Sequence, residues 1–193
     1  MILDSKGFRI GNYFFEPFSV KNGDYIVINM PSPLDFDIEK SLHEILNGQN
    51  SKSEVLTNEV FVPVVIPVQK SRIGLFSKLT ALDYLLKETD YSSDEVRIKL
   101  ESYDLDPRIN IYKLGANERM LLALEKSYNQ SKNIILTTAG LDYNGLNQIK
   151  ERIRKELAKG SLIEINYESS RGREFLFEEP SKVVEVKSHE LST

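Results

Sequence analysis

Apolar positions along the chain fall into short runs with period two or none, and longer runs with period three to four. The first kind predicts strands and the second helices. Phe8 to Val20 alternates aromatic and polar groups around Tyr13, Phe15, Phe18 and Val20, which predicts short antiparallel strands. Lys21-Asn22-Gly23-Asp24 is a turn. Tyr25 to Asn29 (YIVIN) is a compact apolar strand, of the sort buried on both faces of a mixed or parallel sheet. Met30-Pro31-Ser32-Pro33 breaks it. Asp37 to Asn47 is helical, with Ile38, Leu42, Ile45 and Leu46 on one face, and Gly48 ends it. Gln49 to Asn58 is polar and predicts a mobile loop. Val60 to Val68 is apolar but carries Pro63 and Pro67, which predicts an edge strand or two short pieces.

The second half alternates in the same way. Leu79 to Lys87 and Ser92 to Tyr103 read as helices, the latter with Ser93 as its cap. Ile109 to Ile111 is a short link. Asn117 to Asn129 is a helix, Asn133 to Leu136 a strand, and Tyr143 to Lys159 a long helix that Gly160 stops. Leu162 to Tyr167 is a strand. Phe175 to Phe177 and Val183 to Lys187 predict a closing pair of strands, and residues 188–193 a frayed tail. The expectation is an α/β fold: a mixed, mainly parallel sheet flanked by helices, with antiparallel β pieces at the N- and C-termini. There is no internal repeat and no linker, so 1–193 reads as a single domain.

Composition narrows the chemistry. The chain has 193 residues and is 40% hydrophobic, enough for one domain with a sizeable core. Net charge is −4 and no basic block appears, which argues against nucleic-acid binding. The Lys/Arg-rich run Lys150 to Lys159 alternates sign and reads as a solvated helix face. The absence of cysteine excludes disulfides, thiolate metal sites and thiol nucleophiles, and fits a reducing cytoplasm. Met1 to Ile10 carries Asp4, Lys6 and Arg9 and does not read as a secretion signal. No apolar run approaches the roughly 20 residues that span a bilayer. Membrane attachment would need a partner.

The stretch Leu114 to Asp142 carries the most chemistry. A Gly-bearing turn, Leu114-Gly115-Ala116-Asn117-Glu118-Arg119, leads into an amphipathic helix. An apolar strand (Ile134, Ile135, Leu136) follows, then the loop Thr138-Ala139-Gly140-Leu141-Asp142. This order resembles the ABC ATPase family: an LSGGQR-type signature, its helix, the Walker B strand and the TAGLD loop. The likeness extends over nearly the whole chain. Phe18 to Ile28 resembles the strand pair that precedes Walker A. Val62-Pro63, Gln69, Leu75 to Thr80 and Leu82 to Leu85 resemble the family's run through the Q-loop, where Gln69 would stand, although a surface glutamine also fits. The resemblance implies an ABC ATPase-like, P-loop NTPase fold with a reduced helical subdomain at about residues 75–130.

It also implies which parts of a nucleotide site are altered. The family's GxxxxGK[ST] loop lets backbone N–H groups approach phosphate, with a lysine and a hydroxyl behind them. Here Asn29 to Ser41 has no glycine, two prolines that cannot donate N–H, and three acids. Lys40 and Ser41 copy the letters of the motif end but fall inside the predicted helix. They are the only candidates there for a phosphate contact; an exposed helix lysine is the alternative. Gly115 replaces the signature serine. Asn117 replaces its last glycine and also suits a helix N-cap. The family's Asp-Glu-Pro run, which supplies the magnesium and water-polarising carboxylates, is missing at Thr137. Asn166, Tyr167 and Glu168 stand where the switch histidine is expected, while His43 and His189 lie elsewhere and read as surface groups. Hydrolysis depends on such positioning and charge stabilisation. No catalytic residue and no metal site is therefore expected.

Thr138 to Asp142 is the best-kept motif, and in the family it crosses a dimer interface. The expected function is thus a degenerate, non-catalytic ABC-type domain acting through protein contacts. Its partner would be another ABC-type ATPase subunit, a membrane permease or a second copy. No cofactor is expected, and the setting is cytoplasmic, held at the membrane by a partner. The alternative is a genuine ATP-binding subunit of an ABC transporter with an atypical site, in which Lys40 and Ser41 hold phosphate and ATP and Mg²⁺ are bound. A third reading is a soluble self-associating module using the face near Phe14, Phe15 and Phe18, rings that core packing also explains.

Overall fold

A computed structural model describes residues 1–31, 36–50, 52, 54–68, 79–138, 141, 146–167 and 175–188. They divide into two compact units: residues 1–63, 131–139 and 153–193 form the first, and residues 64–130 and 140–152 the second.

Strands dominate the first unit. Its parallel centre is β5 (Tyr25–Met30), β8 (Asn133–Thr137), β9 (Ser161–Tyr167) and the short β7 (Val62–Pro63). Every residue of β5 is buried, as its unbroken apolar run requires. β2 (Phe8–Ile10), β3 (Tyr13–Phe15) and β10 (Lys182–Ser188) complete a sheet of order β2-β3-β10-β5-β9-β8-β7. β10 is the hinge of this topology. It pairs antiparallel with β3 (Val186 opposite Phe15) and parallel with β5 (Val184 opposite Ile28).

Two strands fall where the sequence predicts none. β1 (Leu3–Ser5) and β6 (Val55–Thr57) join β4 (Phe18–Val20) in a small antiparallel sheet of order β4-β1-β6. β6 lies inside the polar stretch expected to be a loop. Each has only three residues, too few to express a period. Conversely, Phe175 to Phe177 is not a strand. There the backbone bends, and Leu176 N–H is satisfied by a side chain, Glu164, instead of a ladder partner.

α1 (Phe36–Leu46) follows β5 and places Leu42, Ile45 and Leu46 in a core with Ile28, Met30, Ile163, Ile165, Phe15 and Phe18. Phe15 and Phe18 are core residues, and Phe14 is half-buried. Gly48 takes φ +77°, the left-handed form that ends a helix.

The second unit holds α2 (Ala81–Glu88), α3 (Ser93–Ser102), a 3-10 turn at Ile111–Lys113 and α4 (Ala116–Gln130). α5 (Leu146–Leu157) begins in it and ends in the first. Ala81, Leu85, Val96, Leu100, Ile111 and Leu122 form its apolar centre. Two predicted helix caps are not where the sequence suggests. Ser92, not Ser93, caps α3, and with Glu95 it forms a reciprocal capping box. α4 already includes Ala116, so Asn117 is inside the helix and is not its N-cap.

Candidate functional site at the ends of the parallel strands

In open α/β sheets, ligands gather beyond the carboxyl ends of the strands, beside helix N-termini. In the first unit this place lies past Met30, Thr137 and Tyr167, where α1 begins after β5. The first turn of α1 carries Asp37 and Glu39. Glu39 reaches the ends of two neighbouring strands. Its Oε1 lies 3.5 Å from the Thr137 hydroxyl of β8, and its carboxylate accepts a hydrogen bond from the Tyr167 hydroxyl of β9. Burial, and the charge and hydrogen bond of Glu39, push the Tyr167 phenol well above its ordinary value.

A second carboxylate sits on the opposite face of the same strands. Glu164 is fully buried in β9. It accepts from the Tyr25 hydroxyl, from the Thr138 hydroxyl at 3.0 Å and from Leu176 N–H at 3.0 Å. Burial and this carboxylate also push the Tyr25 phenol far up. Phe177 meets the Tyr25 ring edge-on at 5.3 Å, and the Arg154 guanidinium lies 5.1 Å from the Phe177 ring. In the next row, Asn29 Nδ2 donates to Glu185 Oε2 at 3.1 Å. Asn29 Oδ1 and Asn166 Nδ2, on register partners, are buried with no hydrogen-bond partner among the described residues.

The predicted site residues are used locally. Lys40 Nζ is 3.7 Å from Glu44, and the Ser41 hydroxyl donates to Asp37 O at 2.8 Å within α1. Thr138 turns to Glu164. The signature-like turn belongs to the second unit. Leu114 is buried, Gly115 is exposed, and Gly115 N–H donates to Glu118 Oε2 at 2.6 Å. Arg119 donates to Gly115 O at 3.4 Å and to Pro67 O at 3.2 Å. Ala116 and Asn117 are half-buried in the first turn of α4, and Leu141 is half-buried. Gln69, Ala139, Gly140 and Asp142 lie outside the described residues, as does His189. His43 is half-buried, and burial holds its imidazole below the ordinary value despite Glu39 nearby. Among the described residues, no three His, Cys, Asp or Glu side chains cluster closely enough to hold a metal.

No protein-family model and no curated protein matches the sequence. Solved structures do. An ABC transporter ATP-binding protein from Pyrococcus furiosus superposes with a TM-score of 0.62 at 17% identity, over 95% of this chain and 96% of that one. The chain has the ABC ATP-binding cassette fold. An ATP-binding cassette in its ADP conformation gives a TM-score of 0.59 at 15% identity, over 91% of this chain and 82% of that one. A protein from Clostridium perfringens that is part of an ABC transporter complex gives 0.55 at 15% identity, over 86% of this chain and 78% of that one. The cassette fold thus agrees with the resemblance carried by the signature-like turn and the TAGLD loop. Among the described residues, no helix is long and apolar enough to cross a membrane.

Sequence reasoning saw Glu39 only as one of three acids after β5, and did not single out Glu164 or Tyr25. The signal was there for Glu164: an acid between Ile163 and Ile165 in a buried strand needs donors close by. Nothing local in the sequence marks Glu39, because its partners come from strands about a hundred residues away.

Proposed function

We propose that this chain is a non-catalytic relative of the ABC ATPases, acting through protein–protein contacts in or near a transporter complex. The observation that carries the reading is at the end of β8. In the family the resemblance implies, carboxylates for magnesium and water follow this strand. Here β8 ends in Thr137 and runs on into Thr138, and their hydroxyls face two of the chain's own carboxylates, Glu39 and Glu164. Threonine hydroxyls bonded to internal acids do not supply the two carboxylates that would place magnesium and polarise water after this strand. The prolines after β5 and the loss of the signature serine point the same way. The kept TAGLD letters at Thr138 to Asp142 favour a protein partner: another ABC-type ATPase subunit, a membrane permease or a second copy. The chain then works in the cytoplasm and reaches the membrane through that partner.

Titration of the purified chain with Mg-ATP by calorimetry, together with a phosphate-release assay, tests this. The expected result is no saturable heat up to millimolar nucleotide and no turnover. Micromolar binding with measurable turnover sinks the proposal. In that event Lys40→Ala decides whether Lys40 and Ser41 are the phosphate contact.

A further inference from the structure

The bend that leads into β10 is held by side chains where a ladder partner would otherwise stand. Leu176 N–H donates to Glu164 Oε2 at 3.0 Å, and Phe177 N–H donates to the Tyr25 hydroxyl at 3.4 Å. The Tyr25 hydroxyl in turn donates to the same Oε2. The other oxygen of that carboxylate, Oε1, accepts from the Thr138 hydroxyl at 3.0 Å. Thr138 directly follows β8 and opens the TAGLD letters. One buried carboxylate thus holds the start of that loop on one oxygen and the bend on the other. All of these residues belong to the first unit.

We propose that Glu164 couples the loop to the bend, a conformational device in which displacement of Thr138 loosens Leu176 and Phe177. This rests on the reading of residues 138–142 as the protein-contact loop and names how a partner's grip there travels inward. The two carboxylate oxygens are rigidly joined, so a carboxylate that follows Thr138 carries Oε2 away from Leu176 N–H. Glu164 is fully buried, and a buried charge cannot trade a lost donor for bulk water. A bond broken at one oxygen is therefore answered by movement at the other. Tyr25 extends the path: its ring meets Phe177 at 5.3 Å, and its carbonyl accepts from Ser181 N–H at 2.7 Å, immediately before β10. Such coupling is a free energy and runs equally in both directions.

Amide hydrogen exchange on the full chain by NMR tests this without any partner. Thr138→Val keeps the shape and removes the hydroxyl, and Thr138→Ser restores it. Thr138→Ala stands in if the valine variant does not fold, as urea midpoints will show. The expected result is exchange at Leu176 and Phe177 about fivefold or more faster in Thr138→Val, the low end of typical coupling. Leu42 in α1 should keep its wild-type rate, and Thr138→Ser should return the bend to near wild type. In a Glu164→Gln background, Thr138→Val should add no further change. An unchanged rate at the bend, an equal rise at Leu42, or a full effect in the Glu164→Gln background overturns the coupling. Each of these leaves the non-catalytic reading intact. Wild-type turnover of Mg-ATP, read in a separate assay, overturns that reading instead.

Discussion

Glu125 sits on α4 and is fully buried. Arg152 holds it through Nε at 2.5 Å and Nη2 at 3.3 Å, Lys99 at 2.8 Å, and the hydroxyls of Tyr91 and Tyr103 add bonds. Arg152 also lies over the Tyr128 ring at 4.7 Å. Burial alone would raise the Glu125 carboxyl. The bonds and charge of Arg152, then Lys99 and Tyr103, outweigh it and hold the group at about 2, against an ordinary 4.5. The unfolded chain therefore binds the proton more readily, so the stabilisation is complete above pH 4.5 and is lost as pH falls towards 2. It is worth roughly 3 kcal/mol. Urea unfolding across that window should show the loss in wild type, and Glu125→Gln should flatten it. At pH 7, Arg152→Ala should cost about 3–5 kcal/mol by leaving a buried carboxylate short of its main partner. An unchanged midpoint would contradict the assignment. The sequence half-reveals this cluster: MLLALE puts an acid at the end of an apolar run, but its cations are 26 and 27 residues away.

Elements were legible where burial imposes a pattern over many residues. β5, β8, β9 and α1 lie within a residue or two of their predicted bounds, because continuous apolar runs and a clean helical stripe specify them. β1 and β6 were not legible, since three-residue strands are defined by their partners. The stop at Gly160 was legible, but its cause is a close approach. A Cβ there would meet Lys132 O at 1.9 Å and Lys132 C at 2.5 Å, both backbone atoms that cannot swing aside. Gly160→Ala should therefore destabilise by about 2 kcal/mol or more, as overpacking against fixed neighbours does, and the denaturant midpoint checks it. Glu164 plays a different part: it fastens the bend at Leu176 to β9 and Tyr25. Glu164→Ala should cost about 2–4 kcal/mol through its unpaired donors. Faster amide exchange at Leu176 and Phe177 would locate the effect. Wild-type protection there would contradict the role.

For the whole molecule, what the sequence revealed was the framework. The signature-like turn, its helix, the strand and the TAGLD loop led to the cassette fold, which the structure and its 14–17% identical neighbours share. The contents of the site were less legible, because the partners of its side chains lie far along the chain. Glu39, Thr137 and Tyr167 become a set only once the sheet brings strand ends together. If the chain pairs with an intact cassette through its TAGLD loop, Leu141→Ala with Asp142→Ala should weaken co-purification with that subunit about tenfold or more, near 1.4 kcal/mol, without changing the urea midpoint. Pairing unaffected by these substitutions would favour a module that acts alone or self-associates elsewhere. The most direct measurement is a crystal structure grown in saturating Mg-ATP. The account predicts the Glu39 carboxylate still lodged against Thr137 and Tyr167, with no nucleotide beside residues 31–41. Density for a triphosphate in that place, with Glu39 displaced, would contradict it.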